Sequence, residues 1–382
     1  MPGALEGLRV LDLSWGIAGA LGVQLLAEQG ADVIKVEPPG GCPLRDYSGY
    51  EVWDRSKRSV TIDLKQPAGL DAFLKLVDTA DVLMETFRPG VMDRLGAGFD
   101  TVHARNPRLI YTSCPAYPEG HRLADRPGWD ALVQASSGQQ FEQPGWRMGP
   151  IFLHVPLPSM AAMFLVPTGI LSALIARETT GRGQHVRTSL FQGAALFTTQ
   201  IWYWVPQQGV GFLGAMHKTH PPGVHQEMIF EVADNEWVHT SIMSGLAPVK
   251  GQDEILGLPG ASDPMRYLLL SEEERAELTP KRRAAYKEHG RDALIDEFRA
   301  NNHAIEPIIT MEETLAEPNP QLAANDMVAS VDGATQVGVP LHLQGTPGGI
   351  KGPRPNAGQH NAEIFGELGY DASDIAKFTG AV

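Results

Sequence analysis

Apolar positions in the N-terminal third of the chain alternate between two rhythms. Short β-rich runs occur at Leu8–Leu13 (LRVLDL), Asp32–Glu37 (DVIKVE), Ser59–Leu64, Asp81–Glu85 and Leu109–Ser113 (LIYTS). Segments of helical period lie between them at Ala20–Gln29 and Ala68–Thr79. Gly30 ends the first helix, and Pro38, Pro39 and Gly40 stop the second strand. Strands spaced by helices of this length predict βαβ units and a parallel sheet.

Beyond this region, Ser159–Ala176 (SMAAMFLVPTGILSALIA) carries no charge. It approaches the length of a bilayer span, but Pro167 and Gly169 interrupt it and no second such segment exists. The pattern therefore predicts a buried helix, Ser159–Arg177, in a soluble core. A polar turn at Thr179–Gln184 leads into a further apolar segment, Val186–Tyr203. Pro206–Gly223, rich in Gly, Pro and Gln, reads as a linker. Met228–Ile242 predicts a hairpin turning at Asp234-Asn235, followed by charged helices over Ser271–Leu278 and Lys281–Arg299. The tail is expected to hold a strand-like run, Val339–Leu343, a Gly/Pro-rich loop to Gly358, and a helix near Ala362–Leu368. The domain division expected is 1–204 for a large domain, 205–225 for a linker, 226–324 for a small α+β domain, 325–338 for a second linker and 339–382 for a return to the large domain.

With 382 residues and 43% hydrophobic residues, the composition is that of a globular enzyme rather than a disordered chain. The formal net charge of −14 gives no electrostatic case for wrapping nucleic acid. Two cysteines, Cys42 and Cys114, cannot make a disulfide framework or a zinc site. The first residues, MPGALEGLRV, lack the pattern of a secretory signal. A soluble, cytoplasmic protein without membrane or metal partners is the expectation.

The turn after the first strand places Gly16, Gly19 and Gly22 before an acidic residue, Glu37, at the end of the second strand. This resembles a dinucleotide site, but the spacing is G-x-x-G-x-x-G rather than G-x-G-x-x-G. Close packing of helix on strand is the plainer account of the glycines.

Several segments, in order, resemble the family III CoA-transferases, the group of formyl-CoA:oxalate and carnitine–crotonobetaine CoA-transferases, with α-methylacyl-CoA racemases as relatives. They are LEGLRVLDL (5–13), GADVIKVEPPGG (30–41), KRSVTIDLKQPAG (57–69), FRPGVMDRLG (87–96), NPRLIYTS (106–113), RPGWDALVQASSG (126–138), GILSALIARETTGRGQHV (169–186) and GQHNAEIFGELG (358–369). The resemblance implies an α/β fold: a Rossmann-like large domain with a parallel sheet formed from both chain ends, plus a smaller α+β domain. It also implies an interlocked-ring dimer, with acyl-CoA and a carboxylic acid as substrates.

CoA carries a pyrophosphate and a 3′-phosphate, which need local cations on an acidic chain. The matching segments supply Lys57, Arg58, Lys65, Arg88 and Arg94. By motif position Lys65, Phe87 and Arg94 correspond to nucleotide-contacting residues, and Gly16 and Ile17 lie in the turn near the reacting group. Phe87 offers a face on which adenine could stack. Thr86 departs from the usual Asn, Ile17 from a Gln, and Gln192 from an Asp.

The family's nucleophile is an Asp whose carboxylate attacks the thioester and forms a mixed anhydride. It lies ten residues before the glycine of the GILxAL segment, here Gly169, and that position holds Ser159. From Gln143 to Arg177 neither Asp nor Glu occurs. The racemase pair fares no better, since Trp129 stands where a His would precede Asp130. Three functional readings follow. The chain is an Asp-lacking subunit of a heteromeric CoA-transferase, inactive alone and paired with an Asp-bearing paralogue. Alternatively it is a self-sufficient enzyme using Asp130 or a Ser159–His154 pair, whether as a homodimer or not. The third reading is a non-catalytic acyl-CoA-binding protein. Trp129, Trp146, Met148, Phe152, Met160 and Met163 hint at a bulky acyl group, though such residues are more often core.

Overall fold

A computed structural model describes residues 2–142, 150–199, 228–240, 250–258, 271–316 and 319–380. The chain divides into two compact units. The first holds residues 1–140, 152–199 and 320–382, and the second holds 141–151 and 200–319.

Six parallel strands build the first unit: β1 (Arg9–Asp12), β2 (Asp32–Glu37), β3 (Arg58–Thr61), β4 (Val82–Glu85), β5 (Ile110–Ser113) and β6 (His185–Arg187). Their spatial order is β3-β2-β1-β4-β5-β6, the doubly wound arrangement. Side chains alternate across the sheet, so Leu11, Ile34 and Leu83 enter one core while Val10, Val33 and Val82 enter the other. The Pro67–Asp78 helix covers the first face with Phe73 and Leu76. The Ile17–Glu28 and Leu157–Thr180 helices cover the second.

The 157–180 helix is long and apolar enough to cross a membrane by length and composition. Ala162, Val166, Ile170 and Ala173 bury one of its faces in the second core. Pro167 denies the Met163 carbonyl its helical donor, and Gly22 lets the 17–28 helix cross there. A Cβ on Gly22 would lie 3.1 Å from that oxygen.

The chain returns to this unit at its C-terminal end, but as helices. Among the described residues every strand of the parallel sheet lies between Arg9 and Arg187, so the expectation of a sheet formed from both chain ends is corrected. The Asn361–Glu367 and Ala372–Thr379 helices instead pack Phe365 and Phe378 beneath the β3 edge. Ser59 and Thr61 on that edge donate their backbone N–H groups to His360 Nδ1 (3.0 Å) and Asn361 Oδ1 (2.9 Å). The 372–379 helix was not foreseen.

Strand-like Val339–Leu343 forms no strand: Leu341 and Leu343 face solvent. The segment taken for a linker, 325–338, carries an antiparallel hairpin, β10 (Val328–Val331) with β11 (Ala334–Val337). Asp332-Gly333, both at positive φ, supply its tight turn.

In the second unit, β7 (Ile229–Glu231), β8 (Trp237–Thr240) and β9 (Ile305–Ile308) form an antiparallel sheet. The hairpin turns at Asp234-Asn235 as the sequence predicts, both residues having positive φ. Phe230 stacks on Tyr286 at 3.8 Å, with Phe298 beside them in the core. The predicted break before Lys281 is absent. One helix runs Glu272–Lys287 through Pro280, and the next spans Arg291–Ala300. The Gly/Pro-rich stretch 206–223 lies outside the described residues.

Candidate active site

In a doubly wound sheet the chain diverges to opposite faces after its central strands, leaving a crevice at their carboxyl ends. Here those strands are β1 and β4, and the crevice holds a cavity of about 420 Å³. Trp15–Ile17 follow β1 into it, and Thr86-Phe87 follow β4.

The two turns are tied together. Thr86 Oγ1 accepts the Trp15 N–H at 2.8 Å and donates to the Trp15 carbonyl at 3.0 Å. Gly16, at φ 82°, caps the 17–28 helix and donates its N–H to the Tyr50 hydroxyl at 2.7 Å. Gly19 is required by close approach, because a Cβ there would meet the Ser14 side chain at 2.2 Å.

Beneath the first turn lies a buried charge cluster. Lys57 Nζ donates to Asp12 Oδ2 and Asp54 Oδ1, both at 2.8 Å, and to the Ala20 carbonyl at 2.9 Å. Lys35 lies 3.4 Å from Asp12 and donates to the Ser14 carbonyl. Burial opposes charge on Asp12, but the two ammonium groups outweigh it and hold its carboxyl far below the usual range. Lys57 and Arg58 are thus committed elsewhere than to a phosphate, since Arg58 pairs with Asp32 at 2.6 Å and Glu363 at 2.7 Å. Glu37 is engaged likewise: Arg45, the Cys42 N–H and the Ser59 hydroxyl all donate to its buried carboxylate. Glu37 is therefore not free for a dinucleotide ribose; Gly19 and Gly22 serve close packing, and Gly16 serves its positive φ.

On the opposite wall, Asp130 and Ser159 meet. The Ser159 hydroxyl donates to Asp130 Oδ2 at 2.7 Å, and the Ser159 N–H donates to Oδ1 at 2.8 Å. Asp130 opens the Asp130–Ser136 helix, and Ser159 lies in the first turn of the 157–180 helix. His154 is exposed and its ring faces Phe152, so the structure joins Ser159 to Asp130 and not to His154.

Phe87 borders this cavity and a second one of about 610 Å³, whose wall includes Glu85, Arg88, Ser113, His185 and Arg187. Glu85 is pushed up to about 7 by burial, although Ser113 and the Phe87 N–H (2.7 Å) hydrogen-bond its carboxylate. Ser113 Oγ also lies 2.9 Å from His185 Nε2. Arg88 is exposed and donates to the Asp125 carbonyl at 2.8 Å. Lys65 and Arg94 are exposed, and neither lines either cavity. Gln192 borders the second cavity; it donates its N–H to the capping Ser189 hydroxyl at 3.1 Å, and its Oε1 accepts from that hydroxyl at 2.8 Å.

Of the residues singled out from motifs, Gly16, Ile17, Thr86, Phe87, Trp129, Asp130 and Ser159 line the first cavity; Trp15, Tyr50 and Trp53 line it too and carried no motif signal. Those three lie in or beside irregular loops, where no periodicity marks a wall. Trp146 and Met148 lie outside the described residues, while Phe152 and Met160 are exposed. Among the described residues no group of His, Cys, Asp and Glu is placed to hold a metal.

A doubly wound α/β unit with an aromatic cavity at its switch point, walled on one side by a carboxylate, is the arrangement in which proteins of this class commonly hold small organic ligands. The particular family follows from comparison. The chain belongs to CoA-transferase family III, whose model matches residues 5–361. It is 31% identical to the succinyl-CoA–D-citramalate CoA-transferase of Chloroflexus aurantiacus, over 98% of this chain and 96% of that one. It is 30% identical to an acyl-CoA transferase of Fusarium pseudograminearum, over 98% of this chain and 87% of that one. Among solved structures it resembles a CAIB/BAIF family protein from Brucella suis, with TM-score 0.80, 25% identity, and coverage of 96% of this chain and 100% of that one.

Proposed function

We propose that this chain binds acyl-CoA and serves as one subunit of a two-chain CoA-transferase whose catalytic carboxylate belongs to a paralogous chain. One observation carries this reading: Ser159 occupies the position of the family nucleophile, and its hydroxyl is committed to Asp130. A serine so placed lacks an imidazole to take its proton. Its acyl ester would also be a far weaker acyl donor than an anhydride.

In this scheme CoA lies along the second cavity and passes Phe87, with its thioester in the first. Lys65, Arg88 and Arg94 would meet phosphates from the exposed rim. A carboxylate from the paralogue attacks the thioester carbonyl, the C–S bond breaks, and CoA leaves as thiolate. A mixed anhydride remains on the attacking carboxyl. The thiolate then attacks the enzyme-side carbonyl of the anhydride, which releases the donor carboxylate and leaves an enzyme-bound CoA thioester. The acceptor carboxylate attacks that thioester and expels CoA thiolate, and the thiolate takes the acceptor acyl group from the resulting anhydride, freeing the enzyme carboxylate.

Dimerisation, by interlocking or otherwise, is part of the proposal. The 157–180 helix exposes Phe164 (56%), Leu171 (37%) and Ile175 (73%) along its outer face, an apolar surface suited to a second chain. Sedimentation of wild type and Ile175→Asp tests this, with a shift toward monomer expected in the variant.

A second reading is favoured by the place of Asp130 in the cavity wall: its carboxylate still has free lone pairs and could itself be acylated. One experiment separates the two. The purified chain is incubated with acyl-CoA and then hydroxylamine, alone and with an Asp-bearing paralogue. Hydroxamate only in the mixture, mapped to the paralogue, supports the subunit reading. Hydroxamate on Asp130 of the isolated chain establishes the second.

A further inference from the structure

We infer that the acyl group taken by the first cavity is uncharged and ring-bearing, and that dicarboxylic acyl groups are rejected; this rests on the acyl-CoA reading above. The wall is aromatic on several sides: Trp15, Tyr47, Tyr50, Trp53, Phe87 and Trp129 all line it. Trp15 meets Phe87 edge-on, with ring centroids 5.6 Å apart, and Tyr50 is tilted against Trp53 at 5.0 Å. Such fixed rings present both faces and edges, which suit a planar ring better than a flexible chain.

The polar complement points the same way. Among the described residues Asp130 is the one charged side chain in the wall, and no Lys, Arg or His lines it. Cations nearby in the fold are already committed, Lys35 and Lys57 to Asp12 and Asp54, and Arg45 to Glu37. A second carboxylate on the acyl group would lose its water, find no cation in this chain's wall, and share the cavity with the Asp130 carboxylate. The Tyr50 hydroxyl accepts the Gly16 N–H and hydrogen-bonds Cys42, and Ile17 contributes only hydrocarbon. A ring-bearing monocarboxylic acyl group needs none of the missing partners.

Calorimetric titration of the full chain with CoA, phenylacetyl-CoA and succinyl-CoA tests the assignment. Phenylacetyl-CoA should bind at least tenfold more tightly than CoA, and succinyl-CoA no more tightly than CoA. Trp53→Ala and the more exposed Trp129→Ala should each reduce the phenylacetyl-CoA to CoA ratio at least threefold, with CoA binding as the control for a folded site. Succinyl-CoA binding as tightly as phenylacetyl-CoA, or a ratio unmoved in both variants, overturns the acyl assignment alone. Binding by none of the three ligands overturns the acyl-CoA reading and this inference with it.

Discussion

Ser159 and Asp130 share a two-point hydrogen bond across the cavity wall, hydroxyl to Oδ2 at 2.7 Å and backbone N–H to Oδ1 at 2.8 Å. The pairing finishes the N-terminus of the 157–180 helix. Leu157 donates to the Val155 carbonyl, Pro158 has no N–H, and Met160 donates to the Pro156 carbonyl. Ser159 is left for Asp130, a residue 29 positions away. The pairing secures a helix end, and the same two residues join the two elements that wall the cavity.

Removing that cap has a predictable cost. Asp130→Ala should destabilise the protein by about 1–2 kcal/mol, the scale of a lost helix cap. Ser159→Ala removes only the hydroxyl bond and keeps the N–H bond, so its cost should be about 1 kcal/mol. Chemical denaturation of both variants measures this. Equal stability of Asp130→Ala and wild type would show that the cap contributes nothing.

The buried cluster under the first turn should be less forgiving. Lys57→Met leaves Asp12 and Asp54 facing one another in the interior with Lys35 as the remaining cation. Breaking a buried ion network by removing one partner costs about 3–5 kcal/mol. A large fall in melting temperature is expected, whereas Lys65→Met, on the exposed surface, should melt close to wild type.

Much of this architecture could be read from residue patterns. DVIKVE marked β2 to the residue, and Asp234-Asn235 marked the hairpin turn, because each signal is local. The 372–379 helix was missed because its short amphipathic run, ASDIAKFT, owes its burial to Phe365 and the β3 edge. The expected helices Ser271–Leu278 and Lys281–Arg299 divide elsewhere: Glu272–Lys287 continues through Pro280, with Ala285 and Tyr286 packed in the core, and the next helix starts only at Arg291. Motif spacing placed Ser159 where a carboxylate belongs. Spacing alone could not reveal its partner, since Asp130 and Ser159 meet only after two helices fold against each other. Likewise, Lys57 looked like a phosphate ligand until the fold enclosed it.

Glu85 predicts a pH dependence of stability. Burial raises its folded carboxyl from 4.5 to about 7, so between those values the native state holds a proton that the unfolded chain has released. This stabilising contribution is fully present below pH 4.5, and it is lost as pH rises through about 7. The span corresponds to on the order of 3 kcal/mol. Glu85→Gln keeps an acceptor for the Phe87 N–H and has nothing to titrate. Melting from pH 5 to pH 8 should therefore show a steeper decline for wild type than for Glu85→Gln. Parallel curves would refute the assignment of that decline to Glu85.

Restoring the family carboxylate tests whether the cavity retains the rest of the chemistry. Ser159→Asp alone sets a second carboxylate against Asp130, and two such groups in contact resist ionising together. That variant should lose stability near neutral pH and trap little acyl group. Adding Asp130→Asn replaces the repulsion with an amide donor facing the new carboxylate, which recovers stability and keeps the attacking group ionised. The double variant, given acyl-CoA and then hydroxylamine, is expected to carry hydroxamate at position 159, located by mass spectrometry of its peptides. If it binds CoA yet traps nothing, the cavity has lost more than a nucleophile. Ile17 is then the next position to change, because it lines the cavity and the resemblance implies a polar Gln in its place.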